Sequence, residues 1–515
     1  MTQRHLGKAL TAAIAGFALV GLAVTPAAAH PQQDDKLGDK LARKVTADNV
    51  MKHLKALQKI ADKNGGTRAA GTPGHEASVD YVADKLEDAG YDVRIQEFPF
   101  TFVDAIAESL KVVSPSPSDV PVFVMSYSPS TPVGGVTAQL ALAPVDGDGT
   151  NGCDAADYPA GAVTGKIVLV KRGGCTFAQK DTVAAAAGAV ATIIYNNVPG
   201  EIHGTLSDPN VGGVPTGGIS QADGEALAAQ AAAGPVTLTV DLREFREDRV
   251  TRNVVAESKW GDADNVVMAG AHLDSVTKGP GINDNGSGSA ALLETATQLA
   301  KYEDHPANKV RFAWWSAEEF GLLGSEYYVN SLAPEDQRKL ALYLNFDMIA
   351  SPNFAEFVYD GDGSGSGADP GPAGSAEIEA FINGYLGRVG SAYGPTDFDG
   401  RSDYGPFIAV GIPAGGTFTG AEKIKTADEA AKFGGQAGAA YDACYHQACD
   451  TITNINKRAL ELNSDVIAYA MGVFANNTHM INGDNDGNPG LPPTLRATTA
   501  NQQVPGALRT GDVAA

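Results

Sequence analysis

The chain has 515 residues, 43% of them hydrophobic, and a formal net charge of −23. This length exceeds one ordinary domain, and the apolar content is enough for two cores. The negative charge argues against nucleic acid or an anionic membrane as a partner. We expect neither partner, and we expect a monomer.

The first residues have the pattern of a signal peptide, which we assign to residues 1–29. Arg4 and Lys8 precede the apolar stretch Ala9–Val24, and small residues follow as a cleavage site. The stretch is too short for a membrane anchor, and no later segment has an uninterrupted apolar run of spanning length. We therefore expect a secreted, extracellular protein. Residues 30–46 are polar, which indicates a pro-segment or a flexible arm.

The rest of the chain alternates between helices and strands, with one interruption. Two amphipathic helices and the strand VRIQEFPF come first. Residues 111–247 then contain short β runs separated by Pro, Gly and Ser. We interpret them as a small β-rich domain inserted into an α/β domain, whose parts are residues 47–110 and 248–480. Residues 481–515 have the composition of a flexible tail.

The four cysteines form two local pairs, Cys153 with Cys175 and Cys444 with Cys449. An even number of cysteines in an exported chain favours disulfide bonds. Loop entropy predicts a stabilisation of about 2 kcal/mol for the shorter bridge and about 3 kcal/mol for the longer one. A cysteine-bound zinc ion is the alternative, but the chain lacks CxxC spacing.

Side chains that can bind metal follow several apolar runs in the second part of the α/β domain. The runs VVMAGA, VRFAWW and LALYLNF predict strands, and a glycine-rich turn after Asp284 leads into the predicted helical run Ala290–Ala300. A pair of glutamates stands at the predicted start of another helix. Parallel sheets bind ligands at the carboxyl ends of their strands, so these side chains can converge. They are His272, Asp274, Asp284, Glu318, Glu319 and Asp347.

Two metal ions held by carboxylates and imidazoles need four or five ligands, one of them shared. The predicted set is His272, Asp284, Glu319, Asp347 and a histidine near the C-terminus. His446, in the cysteine-bracketed loop CYHQAC, is the best candidate for the last ligand, and His75, His203 and His305 are the alternatives. Zinc suits such ligands, although carboxylate-rich sites also accept manganese or cobalt.

The adjacent glutamates can have different roles, because neighbouring positions on a helix point about 100° apart. We assign Glu319 as a metal ligand and Glu318 as the general base, which takes a proton from metal-activated water. Asp274, two residues after His272, would hold the other imidazole nitrogen. Each motif alone also fits an ordinary hydrogen-bonded pair, turn or helix cap, but together they favour a metal hydrolase.

The α/β domain resembles the secreted bacterial dizinc aminopeptidases of the leucyl type. The similarity rests on AGAHLDSV, GINDNGSGSAA, RFAWWSAEEFGLLGS, YLNFDMIASPN, GRSDYGPF and CYHQACDTITNIN, in family order. It implies a mixed, mostly parallel central sheet flanked by helices. It also implies that Glu318 is the general base and that Tyr445 stabilises the tetrahedral oxyanion. The implied ligands are His272, Asp284 and Asp347 for one zinc ion, and Asp284, Glu319 and His446 for the other.

The same resemblance implies a substrate site. The free amine of a peptide would be held by Glu318, Asp347 and the backbone near Arg401. The wall of a pocket for a large apolar first side chain is matched by Met348, Gly400 and Phe418. Ordinary core packing explains these three residues equally well.

The chain departs from the compact relatives in two places. The segment GKIVLVKRGGCTFAQK, with the alanine-rich helix and apolar strand after it, resembles the protease-associated domain, which we expect near the mouth of the crevice. Some relatives bind calcium through an N-terminal aspartate and later acidic residues. Glu461 and Asp465 match the later residues, but Lys44 stands where the aspartate is needed. This departure argues against calcium.

The sequence therefore predicts a secreted aminopeptidase with two zinc ions, which removes large apolar residues such as Leu from peptides with a free N-terminus. A carboxypeptidase or dipeptidase on the same scaffold is one alternative, but we identify no basic side chains for a substrate carboxylate. A non-catalytic binding module is the other alternative. The five ligands and Glu318 argue against it.

Overall fold

A computed structural model describes residues 34–143, 151–207, 210–302, 305–365 and 368–482. The predicted signal peptide and residues 483–515 of the predicted tail lie outside these ranges. None of the helices within them combines the length and the apolar content needed to cross a membrane.

The chain alternates between helices and strands in the order that the sequence predicts. The helices are α1 Asp34–Ala42, α2 Ala47–Lys63, α3 Pro73–Asp88, α4 Phe177–Ala186, α5 Gln221–Ala233, α6 Gly286–Leu299, α7 Leu323–Ser331, α8 Pro334–Gln337, α9 Ser375–Arg388, α10 Tyr404–Ala409, α11 Ala427–Phe433, α12 Lys457–Phe474 and α13 His479–Asn482. The strands are β1 Asp92–Ser114, β2 Ser118–Val120, β3 Phe123–Val124, β4 Val136–Leu142, β5 Ile167–Lys171, β6 Ala191–Tyr195, β7 Thr216–Ile219, β8 Thr237–Glu257, β9 Asp262–His272, β10 Asn308–Trp315, β11 Leu340–Phe346, β12 Phe357–Tyr359, β13 Gly394–Thr396 and β14 Ala414–Phe418.

The α/β domain is built on the strand order β13-β12-β14-β11-β9-β10-β8. The central pairs β10–β9, β9–β11 and β11–β14 are parallel, whereas β8 and β12 add antiparallel pairs. Strand β9 is buried from Val266 to His272 and β11 is buried throughout, because both faces of the sheet are covered here. The predicted fold, a mixed, mostly parallel sheet flanked by helices, is confirmed.

The insert continues the same sheet. Its strands β4, β5, β6 and β7 are paired in parallel, and β4 pairs with β8. β1 and β8 form one long antiparallel pair, from Asp92 opposite Glu257 to Ser114 opposite Thr237, with register shifts after Ala105 and Val112. The predicted boundaries at 111 and 247 fall inside these two strands. Two long strands, and not flexible linkers, therefore carry the insert.

A third hydrophobic cluster joins the insert to the α/β domain. The main core lies between α2, α6, α12 and the central strands, and the insert has a core of its own. Between them, Phe100 and Phe102 of β1 pack against Phe320, which follows the two predicted active-site glutamates. Phe177 of the insert belongs to this junction cluster as well. The insert is thus packed directly behind the turn that carries Glu318 and Glu319.

The stretch predicted as a pro-segment or flexible arm contains helix α1. Leu37 and Leu41 are one helical turn apart and are 9% and 0% exposed, packed in the main core. At Gly38 the helix crosses α12 so closely that an added Cβ would lie 2.7 Å from the ring of Tyr469. The expectation of an unstructured arm is therefore wrong for residues 34–42, because this apolar pair is enough to dock a short helix.

Candidate metal centre

The carboxyl ends of three neighbouring strands meet at one edge of the sheet. β9 ends at His272, β10 ends three residues before Glu318, and β11 ends one residue before Asp347. Asp284 lies just before α6, whose first residue is Gly286. Because β9 lies between β10 and β11 and is parallel to both, these side chains converge as the sequence predicts.

The predicted ligands form two groups that share one residue. Ligand atoms of His272, Asp284 and Asp347 all lie within 4.8 Å of one another, and so do those of Asp284, Glu319 and His446. His272 Nε2 is 3.2 Å from Asp284 Oδ1, and His446 Nε2 is 3.3 Å from Asp284 Oδ2. The two oxygens of Asp284 therefore face different imidazoles, as a bridging carboxylate requires.

Unpaired buried atoms test whether these residues fit metal ions. Within the described ranges, His272 Nε2, Asp347 Oδ1 and Glu319 Oε1 are buried and have no hydrogen-bond partner. Leaving polar atoms unpaired in this way costs free energy unless something else binds them. Imidazole nitrogens and carboxylate oxygens are ligands of zinc, so the residues present fit a pair of such ions.

The electrostatics of the cluster also favour bound cations. Burial raises the pKa of Glu318 well above its usual range, opposed by His272 and reinforced by Asp347. Burial raises the pKa of Glu319 as well. Burial lowers the pKa of His446, but Glu319 and Asp284 outweigh this effect and raise it to about 10. Carboxylates are crowded in a dry pocket, where divalent cations relieve their repulsion.

Glu318 and Glu319 lie in a turn and not at the start of a helix. Ala317 has a φ of 56° and Leu322 a φ of 63°, and α7 begins only at Leu323. The predicted helix start is therefore wrong, because left-handed residues on both sides of the pair keep it out of a helix. The turn still separates the two side chains: Glu319 Oε2 is 2.9 Å from His446 Nε2, whereas Glu318 Oε2 is 3.9 Å from His272 Nε2.

Of the four candidate histidines, His446 is the one that belongs to a ligand group, together with Asp284 and Glu319. It lies in the loop closed by the Cys444–Cys449 disulfide. His75 bonds to the backbone carbonyl of Arg252 at 3.1 Å, and His305 stacks on Trp260. His203 reaches the neighbourhood from the insert, with its ring centroid 5.7 Å from that of His446. The second predicted disulfide, Cys153–Cys175, is present in the insert, so both pairings are confirmed.

Asp274 lies beside the other nitrogen of His272, but its backbone makes the closer contact. His272 Nδ1 is 3.2 Å from the Asp274 carbonyl oxygen and 3.6 Å from its carboxylate. That carboxylate accepts a hydrogen bond of 3.3 Å from the backbone N–H of Glu318. Asp274 thus links the orientation of the imidazole to that of the glutamate turn.

Three supporting residues were not singled out from the sequence. Ser402 donates a hydrogen bond of 2.7 Å to Asp347 Oδ2. Asp450 accepts from the backbone N–H groups of Asn283 and Asp284 at 2.8 and 2.9 Å. The buried guanidinium of Arg68 donates to backbone carbonyls of the loop before Asp284, including that of Pro280 at 2.8 Å. Composition gives no signal for such contacts, since the partners are distant in sequence.

Glu461 and Asp465, which match calcium ligands of some relatives, interact with other residues of the chain and with each other. The Glu461 carboxylate accepts a hydrogen bond from the backbone N–H of Ala47, at the start of α2. Burial, with the charge of Glu461, raises the pKa of the nearby Asp465 to about 7. The argument against calcium stays a prediction.

A cavity with a volume of ≈ 490 Å³ opens beside the metal ligands. Glu318 and four of the five ligands line it, together with Met348, Phe418 and Arg401 of the predicted substrate site. Gly400 is buried between two lining residues, and its N–H donates to the hydroxyl of Tyr404. The insert contributes part of the wall, so it does border the crevice. Its lining residues are Arg172, Asn197 and Val198.

Carboxylates and imidazoles at the sheet edge, beside a cavity large enough for a small ligand, define a metal-dependent hydrolase. Comparison with known proteins narrows this class. Residues 253–471 match peptidase family M28, and residues 136–227 match the PA domain.

Relatives of similar length cover most of the chain. Leucine aminopeptidase 2 of Arthroderma otae is 47% identical over 442 residues, which are 85% of this chain and 86% of that protein. An aminopeptidase of Pseudomonas aeruginosa is 47% identical over 458 residues, which are 86% of this chain and 83% of that protein.

Solved structures of aminopeptidases superpose on this chain. The aminopeptidase from Aneurinibacillus sp. strain AM-1 superposes with a TM-score of 0.66 and 28% identity, covering 89% of this chain and 97% of its own. A zinc aminopeptidase from Bacillus subtilis has a TM-score of 0.60 and 27% identity, with coverages of 83% and 94%. The chain belongs to peptidase family M28, carries an inserted PA domain, and is a metallo-aminopeptidase. The family and the insert predicted from the sequence are confirmed.

Proposed function

We propose that this chain is a secreted aminopeptidase with two zinc ions, which removes large hydrophobic N-terminal residues such as Leu from peptides. The observation that carries the proposal is the position of Asp284, which belongs to both ligand groups and lines the cavity. His272 and Asp347 would hold one ion with it, and Glu319 and His446 the other. The chemistry that zinc supplies when bound is Lewis acidity, which polarises a carbonyl and makes water more acidic.

Glu318 is the proposed general base. It is 8% exposed and lines the cavity, and its carboxylate lies 3.9 Å from His272 Nε2, farther than those of Asp284 and Asp347 at 3.2 and 3.3 Å. Its carboxylate would take the proton of the attacking water and pass it to the leaving amine. The hydrogen bond from the Glu318 backbone to Asp274 would keep this side chain oriented.

Tyr445 is the proposed donor to the developing oxyanion. Its hydroxyl accepts a hydrogen bond of 3.1 Å from Arg401 Nη2, and its ring stacks on that of His446. Because the hydroxyl oxygen accepts from Arg401, its own proton is available for the substrate carbonyl. Burial raises the pKa of Tyr445 well above its usual range, so the phenol keeps that proton at neutral pH.

The cavity has features suited to a free N-terminus and an apolar first side chain. The carboxylates of Glu318 and Asp347 would hold the positive α-amine, and only the first residue of a peptide has a free α-amine. Met348 and Phe418 would contact the first side chain, and Phe357 extends the aromatic wall at a ring-centroid distance of 6.3 Å from Phe418. The predicted signal peptide and the two disulfides support secretion.

Hydrolysis of leucine p-nitroanilide, compared with its N-acetylated analogue, tests the proposal. We expect cleavage of the free-amine substrate only, loss of activity when a chelator removes the metal, and recovery when zinc is added. Metal analysis should find two zinc ions per active chain. Equal cleavage of both substrates would contradict the aminopeptidase proposal, and cleavage that survives metal removal would contradict the role of zinc.

A further inference from the structure

The insert places one cationic side chain in the wall of the substrate cavity. Arg172 directly follows β5, and Asn196 and Asn197 directly follow β6, which is parallel to β5. The insert therefore presents polar side chains at the carboxyl ends of its own parallel strands, and this edge faces the cavity. Arg172 and Asn197 both line it.

The guanidinium of Arg172 has few partners, although it is held in place. Nη1 donates to Asn196 Oδ1 at 3.4 Å, and the group lies 5.8 Å from the centre of the Phe177 ring. Within the described part of the chain, no carboxylate lies within ion-pair distance of it. Its five N–H donors are thus largely free for a ligand.

Arg401, the other arginine of the cavity, is already paired. Nη1 lies 2.9 Å from Glu422 Oε1, and Nη2 donates to Tyr445. Burial lowers the pKa of Arg172, and repulsion from the charge of Arg401 lowers it further, whereas the carboxylates of Glu422 and Asp399 partly oppose both effects. A negative group bound to Arg172 inside the cavity would relieve that repulsion.

We propose that Arg172 binds the C-terminal carboxylate of di- and tripeptide substrates. This inference rests on the aminopeptidase function proposed above. A guanidinium binds a carboxylate through two parallel hydrogen bonds, which neither zinc ligands nor the apolar wall can supply. A cavity of ≈ 490 Å³ holds only a small ligand, so the far end of a short peptide remains inside it. Each residue extends a peptide by only about 3.3–3.6 Å.

Two consequences follow for specificity. The insert would select short peptides by the charge of their C-terminus. Substrates without a carboxylate at that place, such as p-nitroanilides and peptide amides, would gain nothing from Arg172. An Asp or Glu side chain of the substrate also carries a carboxylate that Arg172 could bind. The test must therefore distinguish binding of such a side chain from binding of the C-terminal carboxylate.

The test compares kcat/KM of the full-length enzyme and its Arg172→Gln variant on Leu-Gly-Gly, Leu-Gly-Gly-amide, Leu-Glu-amide and leucine p-nitroanilide. We expect Arg172→Gln to lower kcat/KM on Leu-Gly-Gly about tenfold or more, mainly through KM, since a charged hydrogen-bonded pair is lost. The amides and the anilide should change less than about twofold. Arg172→Lys should recover part of the loss, because it restores the charge but not the fork.

Lys171→Gln is the matched control. It removes a positive charge from the residue next to Arg172, and the Lys171 side chain does not line the cavity. It should leave all four substrates unchanged. An equal loss on every substrate in Arg172→Gln would assign Arg172 a structural role and overturn the proposal, as would no loss at all. A loss as large on Leu-Glu-amide would assign the site to acidic side chains instead. Failure of the unaltered enzyme to cleave leucine p-nitroanilide would contradict the proposed aminopeptidase function itself, and not only the role of Arg172.

Discussion

The two oxygens of Asp347 have different surroundings. Oδ2 accepts the hydrogen bond from Ser402, whereas Oδ1 is buried beside His272 without a hydrogen-bond partner among the described residues. Ser402 in turn accepts a hydrogen bond of 2.8 Å from Asn345 Nδ2. The carboxylate is therefore fixed on one side and open on the other, as a metal ligand should be.

Ser402→Ala is predicted to weaken metal binding about 10- to 100-fold, because Asp347 loses the contact that fixes its orientation. Competition with a chromogenic chelator measures the affinity. Ser464→Ala is the matched control, since the Ser464 hydroxyl is buried without a hydrogen-bond partner in the described structure. Equal metal affinity of both variants would contradict the role of Ser402.

Glu318→Ala is predicted to keep both metal ions and to lose activity by about 100-fold or more, because the proton acceptor is removed while the ligands stay. Metal analysis and kcat on leucine p-nitroanilide are measured on the same sample. Glu319→Ala should instead lose metal. If Glu318→Ala also lost metal, the assignment of base and ligand would be wrong.

A pH effect on stability is expected from Glu356, which is 0% exposed and far in sequence from its partner Asn463. Burial raises its pKa to about 8, so the folded state binds a proton that the unfolded state releases near pH 4.5. The stabilising contribution of that proton is complete below about pH 4.5 and is lost as the pH rises to about 8.

Glu356→Gln should therefore gain stability relative to the unaltered protein as the pH rises from 5 to 8, by roughly 2–4 kcal/mol. Denaturant unfolding at several pH values measures the difference. The exposed Glu335→Gln provides the comparison, and it should show no such trend. A difference that is constant with pH would mean that Glu356 does not titrate in this range.

Among the elements, α1 depends on a close helix crossing. A Cβ added at Gly38 would lie 2.8 Å from the backbone oxygen of Tyr469, and one at Gly472 would lie 2.7 Å from Gly38 itself. Two glycines thus allow α1 and α12 to approach until their backbones are nearly in contact.

Gly38→Val should destabilise the protein by about 1–3 kcal/mol and expose the N-terminal segment to protease, because the larger residue forces α1 away from α12. Thermal unfolding and limited proteolysis detect the two effects. Gly384→Val in α9 is the control, since a Cβ there meets no atom within 4 Å. Similar losses in both variants would show that helix propensity, and not the crossing, is responsible.

The elements also show what sequence reasoning can reach. Strands β9, β10 and β11 were predicted with their polar end residues, since each is an apolar run followed at once by a charged side chain. Helix α1 was not predicted, because two leucines in a charged stretch are too few to show the helical periodicity of apolar residues. The turn at Glu318 was misassigned because the left-handed Ala317 gives no sign in the sequence. Arg68 and Asp450 act through backbone contacts, which no residue pattern reveals.

For the whole molecule, the sequence predicted an insert but not how it is attached. The change from helix–strand alternation to short β runs indicated that an insert is present. The long pairing of β1 with β8 was not predicted, because each strand crosses the boundary with an ordinary alternating pattern. The family match of the insert begins at residue 136, beyond the end of β1.

The length of the paired strands β1 and β8 sets the distance between the insert and the α/β domain. Removing two facing residues from each strand would draw the insert about 7 Å toward the sheet edge, and removing one would also turn its side chains to the opposite face. Exchange of inserts between relatives would therefore succeed only where the paired strands have equal length and their side chains alternate between the two faces in the same order. The sequence of the insert could therefore diverge between relatives, whereas the lengths of β1 and β8 would have to stay the same.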